Sequence, residues 1–243
     1  ETGFTMYTIL HLGLGSFHRA HQAVYVHQLR QQGDTRWTIT GGNLRPDMLD
    51  TMAALQAQNG RYTLETVTPQ GQRSYTVIES IQRVIAWQAD LAPLIAVGAD
   101  PATRIISFTV TEAGYYLDAN NQLDWPTFPD LRADLEAVKA GQAGHTIYGG
   151  LVSILRARMQ AKAGPVTLMN CDNLRHNGNR SRGGLLQFID ALGDAALKAW
   201  VQEYTRSPNA MVDRITPRPT PDVAERVKAC LLYTSPSPRD LST

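Results

Sequence analysis

The sequence predicts an α/β fold with a doubly wound, mostly parallel sheet and one inserted hairpin. Three observations carry that prediction. Short apolar, β-branched runs alternate with longer segments whose apolar residues recur at helical spacing. Two of the runs, RIISFTVT at 104–111 and VTLM at 166–169, are nearly continuous, as expected of strands covered on both faces. The first run lies within YTILHLGLGSFHRAH (Tyr7 to His21) and enters a Gly13-x-Gly15 turn that continues as a helix. That is the strand, glycine turn, helix order of a Rossmann-type dinucleotide-binding unit.

In that turn Gly13 permits a sharp backbone reversal, and Gly15, lacking a Cβ, leaves room for a pyrophosphate at the helix N-terminus. The third position of the glycine pattern is His18, and a bare G-x-G after an apolar run is more often an ordinary turn. A helix is expected over 19–32, stopped by Gly33, followed by a short strand over 37–40. Pro46 suits the first turn of the next helix, with Met48, Leu49, Met52 and Leu55 as its apolar stripe up to Asn59-Gly60. Residues 62–80 read as two strands around a Pro69-Gln70-Gly71 turn. A short helix over 90–97 precedes the 104–111 strand, which ends in Glu112-Ala113-Gly114-Tyr115 at the carboxyl edge, where such folds place ligands. Helices are expected over 131–140, from Ile147 to Gly164-Pro165, and over 185–204. The strand over 166–169 delivers Asn170-Cys171-Asp172-Asn173 to the same edge.

Composition limits the function. The 243 residues are 43% hydrophobic with a net charge of +1, which disfavours a nucleic-acid surface or an electrostatic membrane anchor. The two cysteines, Cys171 and Cys230, are far apart and fit a reducing, cytoplasmic setting. No apolar run is long enough to span a membrane. There is no G-x-S-x-G elbow, no Tyr-x-x-x-Lys pair and no P-loop. His18 and His21 lie three apart on one helix without a third ligand of suitable spacing, so no metal site is expected and both are read as solvated or phosphate-facing.

Four stretches, HLGLGSFHRAHQAVY, SFTVTEAGYY, NCDNLRHNGN and SPNAMVDRITP, resemble in this order the mannitol dehydrogenase family of polyol-specific long-chain dehydrogenases. The similarity runs from about Tyr7 to about Lys228, and the family accepts histidine at the third glycine's place. The resemblance implies metal-independent oxidation of a sugar alcohol with NAD as cofactor, D-arabinitol to D-xylulose or a similar polyol, with a small-molecule substrate as the expected partner. Oxidation of mannitol at C2 and reduction of a sugar acid such as tagaturonate or fructuronate are the alternatives. An inactive nucleotide-binding fragment is the alternative of another class. The family chain is about twice as long, and its general-base lysine lies in a motif absent here. The expected organisation is a dinucleotide-binding domain over 1–206, the entry to a truncated helical substrate domain over 207–229, and a Ser/Pro-rich tail over 230–243 outside the family pattern. No oligomeric state is read from the sequence.

Carried onto these residues, the resemblance implies a cofactor site of Gly13, Gly15, Ser16, Phe17, His18, Arg19, Asp47, Thr111, Glu112, Asn173 and Asp213. Asn173 falls where the family holds the alkoxide or carbonyl oxygen, a neutral donor that stabilises developing charge; read without the family, it is a capping asparagine after a strand. Asp47 is placed to accept from adenosine ribose hydroxyls, with Arg45 beside it as a possible 2′-phosphate partner and a helix-opening aspartate as the plain reading. Asp213 and Arg214 form either a wall of the nicotinamide or substrate site or a structural ion pair.

Overall fold

The computed structural model describes residues 5–211, 216 and 219–230. Six parallel strands form the sheet: β1 (Tyr7–Leu12), β2 (Trp37–Gly42), β5 (Ile81–Val84), β6 (Thr103–Phe108), β7 (Val166–Asn170) and β8 (Thr205–Arg206). Their spatial order is β5-β2-β1-β6-β7-β8. Numbered among themselves, the parallel strands run 3-2-1-4-5-6, the order of a doubly wound dinucleotide fold, and the direction of winding reverses between β1 and β6. The hairpin β3 (Tyr62–Val67) and β4 (Arg73–Ile78) is antiparallel and forms a separate two-stranded sheet.

Strand alternation divides the core in two. On one face Ile9 and Ile39 pack with Val26 of α2 (Gln22–Gln31), Met52 and Leu55 of α3 (Leu49–Ala57), and Tyr62, Leu64 and Ile78 of the hairpin. On the other, Leu10, Leu12, Ile106 and Phe108 meet α4 (Ala92–Gly98), α5 (Pro129–Lys139), α6 (Ile147–Gln160), α7 (Asn177–Leu192) and α8 (Ala195–Tyr204). Buried Arg158 of α6 joins the turns before β6 and β7. Its guanidinium donates to the carbonyls of Gly98, Asp100, Ala163, Gly164 and Pro165 at 2.8–3.3 Å.

Several expectations are corrected. The helix expected over 19–32 is two, α1 (Ser16–Ala20) and α2, broken at His21, whose φ/ψ of −124/−91 is not helical. The segment over 185–204 is likewise interrupted, at left-handed Gly193, with the Asp194 side chain accepting the Leu197 N–H to open α8. Pro46 lies before α3, which is capped by left-handed Met48, and Met48 and Leu49 are exposed rather than part of an apolar stripe. The strand expected to reach Thr111 ends at Phe108.

Elements not foreseen are β5, β8 and α9 (Pro221–Cys230). α9 straps onto the hairpin: Val223 and Val227 are buried, and Arg226 makes a bidentate pair with Glu65, both contacts at 2.9 Å. Tyr75 of β4 donates to the same carboxylate at 2.8 Å. The tail read at 230–243 lies, beyond Cys230, outside the described residues. Among the described residues no helix is long and apolar enough to cross a membrane.

Candidate functional site

Sheet register brings the loops together. Leu12 aligns with Gly42 on one side and Phe108 on the other, and Phe108 with Asn170, so four loops leave the carboxyl edge in one row. The reversal of winding places the glycine turn at the crevice where such sheets bind ligands. Gly13 has φ +102, and a Cβ there would lie 2.3 Å from the Thr109 carbonyl oxygen, so the chain just past β6 demands glycine. Gly15 is extended (φ −88, ψ −179), and a Cβ there would meet nothing within 4 Å. Open space therefore faces the first turn of α1, where the N–H groups of Ser16, Phe17 and His18 lack intrahelical acceptors.

His18 corrects the solvated reading. It is 1% exposed and stacks on His11 of β1 with ring centroids 3.5 Å apart. Its Nε2 donates to Gln22 Oε1 at 2.7 Å, and His11 Nδ1 lies 2.7 Å from Ser107 Oγ on β6. This polar stack fills the contact that a third glycine would leave to backbone. Burial lowers the His18 pKa to about 4, and burial and then His18 push His11 well below its usual value. His21 is also buried, its Nδ1 donating to the Phe17 carbonyl at 2.7 Å beneath the stacked Phe17 ring. Arg19 turns inward over the Tyr62 ring at 5.9 Å, and its carbonyl accepts the Tyr62 hydroxyl. Its Nη2 reaches Ser16 Oγ at 3.4 Å, while Nε and Nη1 have no partner among the described residues.

The loop after β2 carries Asp47, exposed and two residues ahead of α3. The helix-opening role falls to Asp50, which occupies the first turn. Arg45 is engaged elsewhere: its Nη2 donates to the Tyr116 hydroxyl at 2.6 Å and lies 3.4 Å from Asp130, so it is not a free partner for a 2′-phosphate.

The loops after β6 and β7 are knit by a polar network that sequence reasoning missed. Asp172 accepts the Val110 N–H at 2.8 Å and the Tyr115 hydroxyl, whose oxygen also lies 2.9 Å from Asn170 Oδ1. Asn177 Nδ2 donates to the Asn170 and Asp172 carbonyls at 3.0 and 3.1 Å, and its Oδ1 accepts the Ala210 N–H at 2.8 Å. The density of Asn and Asp in NCDNLRHN was the available signal. Held on this frame, Thr111 adopts φ +66, ψ 164, a conformation costly for a β-branched residue, and Glu112 opens a 3-10 turn (Glu112–Tyr115). Both are exposed. Asn173 is exposed three residues before His176, the N-cap of α7, so it is not the helix cap. The Asp213 and Arg214 pair lies outside the described residues.

The Mannitol dehydrogenase Rossmann domain model matches residues 7–231. The chain belongs to the mannitol dehydrogenase family. It is 57% identical over 223 residues to a D-arabinitol 4-dehydrogenase of Ralstonia nicotianae, an alignment covering 91% of this chain and 47% of that protein. With a D-arabinitol 4-dehydrogenase of Klebsiella pneumoniae the identity is 53%, over 92% and 48%. The Pseudomonas fluorescens mannitol 2-dehydrogenase, solved as a ternary complex with NAD and D-mannitol, superposes with a TM-score of 0.83 at 33% identity, over 93% and 45%. The chain thus spans about half the length of the curated relatives it matches.

Within the mannitol dehydrogenase family frame, the expected site residues fall into two groups. Gly13, Gly15, Ser16 and Phe17 border the glycine turn, and Asp47, Thr111, Glu112 and Asn173 stand on neighbouring loops of the same edge. His18 and Arg19 lie beneath the turn rather than in front of it. Among the described residues, no group of three His, Cys, Asp or Glu side chains is placed to hold a metal ion.

Proposed function

We propose that this chain is the dinucleotide-binding part of a cytoplasmic, NAD-dependent polyol dehydrogenase that oxidises D-arabinitol, or a close relative, to the ketose. The observation that carries the reading is the open space in front of Gly15 at the switch point of the sheet, in a chain of this family. In this reading residues 1–206 hold the cofactor, 207–229 lead into a substrate domain, and 230–243 stand apart. The first-turn amides of α1 take the pyrophosphate, and the Asp47 carboxylate accepts from the ribose hydroxyls. Bound NAD supplies the hydride acceptor.

The Asn173 amide donates to the substrate oxygen as it gains negative charge. Thr111, Glu112 and Asp213 border the nicotinamide end. The general-base lysine belongs to the part of the family's length that this chain does not span, and general-base assistance contributes roughly 10²- to 10⁴-fold. The expected binding partner is therefore a polyol, with neither nucleic acid nor membrane involved. The neighbour solved with NAD and D-mannitol and the two D-arabinitol relatives support this substrate class.

Titration of tryptophan fluorescence with NADH tests the site. Gly15→Val keeps an accessible backbone conformation and should weaken binding at least tenfold while leaving the circular dichroism unchanged. Equal curves for the two proteins would overturn the assignment. The 243-residue chain should form no NADH from D-arabinitol, D-mannitol, D-sorbitol or xylitol, whereas a chain continued over the family's full length should oxidise D-arabinitol. Turnover by the shorter chain would place the base within these residues.

A further inference from the structure

Asn43 is the first residue after β2 and is 7% exposed. Both ends of its amide are used, and they face different loops. Oδ1 accepts the N–H of Leu14, the middle residue of the glycine turn, at 3.0 Å. Nδ2 donates to the main-chain carbonyl of Asp47 at 3.2 Å. A single buried side chain therefore ties the proposed pyrophosphate turn to the residue proposed to meet the adenosine ribose. The rest of the segment is held from elsewhere: Trp87 Nε1 donates to the Leu44 carbonyl at 3.0 Å, and Arg45 binds the Tyr116 hydroxyl. Asp47 itself is exposed, and the hydrogen bond from Asn43 is to its main chain, so its carboxylate stays available.

We infer that Asn43 is a positioning residue for cofactor choice: it sets the distance between the glycine turn and the Asp47 carboxylate, and thereby the preference for an unphosphorylated ribose. The inference rests on the cofactor site proposed above. Carboxylate-to-hydroxyl hydrogen bonds lose strength steeply when the partners separate, and the repulsion that rejects a 2′-phosphate depends on the same placement. An amide meets the requirement because it offers an acceptor and a donor side by side without charge. Aspartate would lose the donor and bring a second negative charge toward the phosphates; alanine loses both contacts.

The test is a cycle of native chain, Asn43→Ala, Asp47→Ala and the double variant, each titrated with NADH and NADPH and each melted. Asn43→Ala should weaken NADH binding about tenfold and NADPH binding less, narrowing the ratio of the two affinities at least threefold. In the Asp47→Ala background the same substitution should leave the ratio unchanged, because the carboxylate it positions is gone. A role confined to folding would lower the melting temperature and reduce both affinities by one factor; an unchanged ratio in Asn43→Ala therefore overturns the inference. A ratio that narrows equally in both backgrounds overturns it too. Asn43→Ser, whose hydroxyl keeps an acceptor but loses reach, gives the same readout with less disturbance of the fold. If the native chain binds neither nucleotide, the cofactor reading itself fails, an outcome distinct from binding with an unaltered ratio.

Discussion

Gly13 and Gly15 stand two residues apart and answer to different demands. At Gly13 an alanine would have to hold φ +102 with its methyl carbon 2.3 Å from the Thr109 carbonyl oxygen, so Gly13→Ala should cost roughly 2–4 kcal/mol. Gly15→Ala, facing open space, should fall within about 0.5 kcal/mol of native. Urea unfolding of the two variants separates these costs, and similar midpoints would mean that the turn relaxes. His18 adds a pH term. Because burial lowers its folded-state pKa to about 4, the unfolded chain takes up the proton first as pH falls below the usual 6.5. The contribution of neutral His18 is whole above 6.5 and is lost toward 4, amounting to about 2 kcal/mol between pH 7 and pH 5. His18→Gln should reduce the slope of stability across that window, leaving the part due to buried His11; an unchanged slope would remove His18 as a source. The two glycines were legible in the letters, but the burial of His18 was not, since a histidine in a glycine pattern gives no sign that its stacking partner is His11 on the preceding strand.

At the level of elements, legibility followed burial on two faces. β1, β6 and β7 each carry a run of buried apolar residues, Ile9, Leu10 and Leu12, then Ile106 and Phe108, then Val166 and Leu168, and each was readable. β5 was not: it lies at the sheet edge, and Gln82 and Arg83 in its centre are exposed, so its sequence resembles a loop. The breaks at His21 and Gly193 were hidden because apolar spacing continues across them. Asn43 was hidden for another reason, since its partner Leu14 is 29 residues away and an asparagine after a strand is commonplace. The hairpin was foreseen, but not its task of seating α9. Glu65 has 8% of its side chain exposed and is met by Arg226, Arg73 and Tyr75. Glu65→Gln should therefore speed amide hydrogen exchange in α9 while leaving β1 and β6 protected. Unchanged exchange in α9 would mean that Val223 and Val227 hold the helix without the ion pair.

Across the whole molecule, two fastenings lie far from the site. Arg158 supplies the donors for five carbonyls in two turns, and removing it would strand those acceptors in the interior. Arg158→Met should cost about 3–5 kcal/mol, a large share of a typical domain's stability, and a melt within experimental error of native would show that water replaces the guanidinium. The second fastening, α9 on the hairpin, joins residues 161 positions apart. At the usual pace of translation, 5–20 residues per second, Glu65 leaves the ribosome roughly 10–30 s before Arg226 does. For that interval a nascent chain carries a finished hairpin whose outer face still awaits its cover. A chaperone that arrives in those seconds meets Glu65 and Tyr75 before α9 has closed over them.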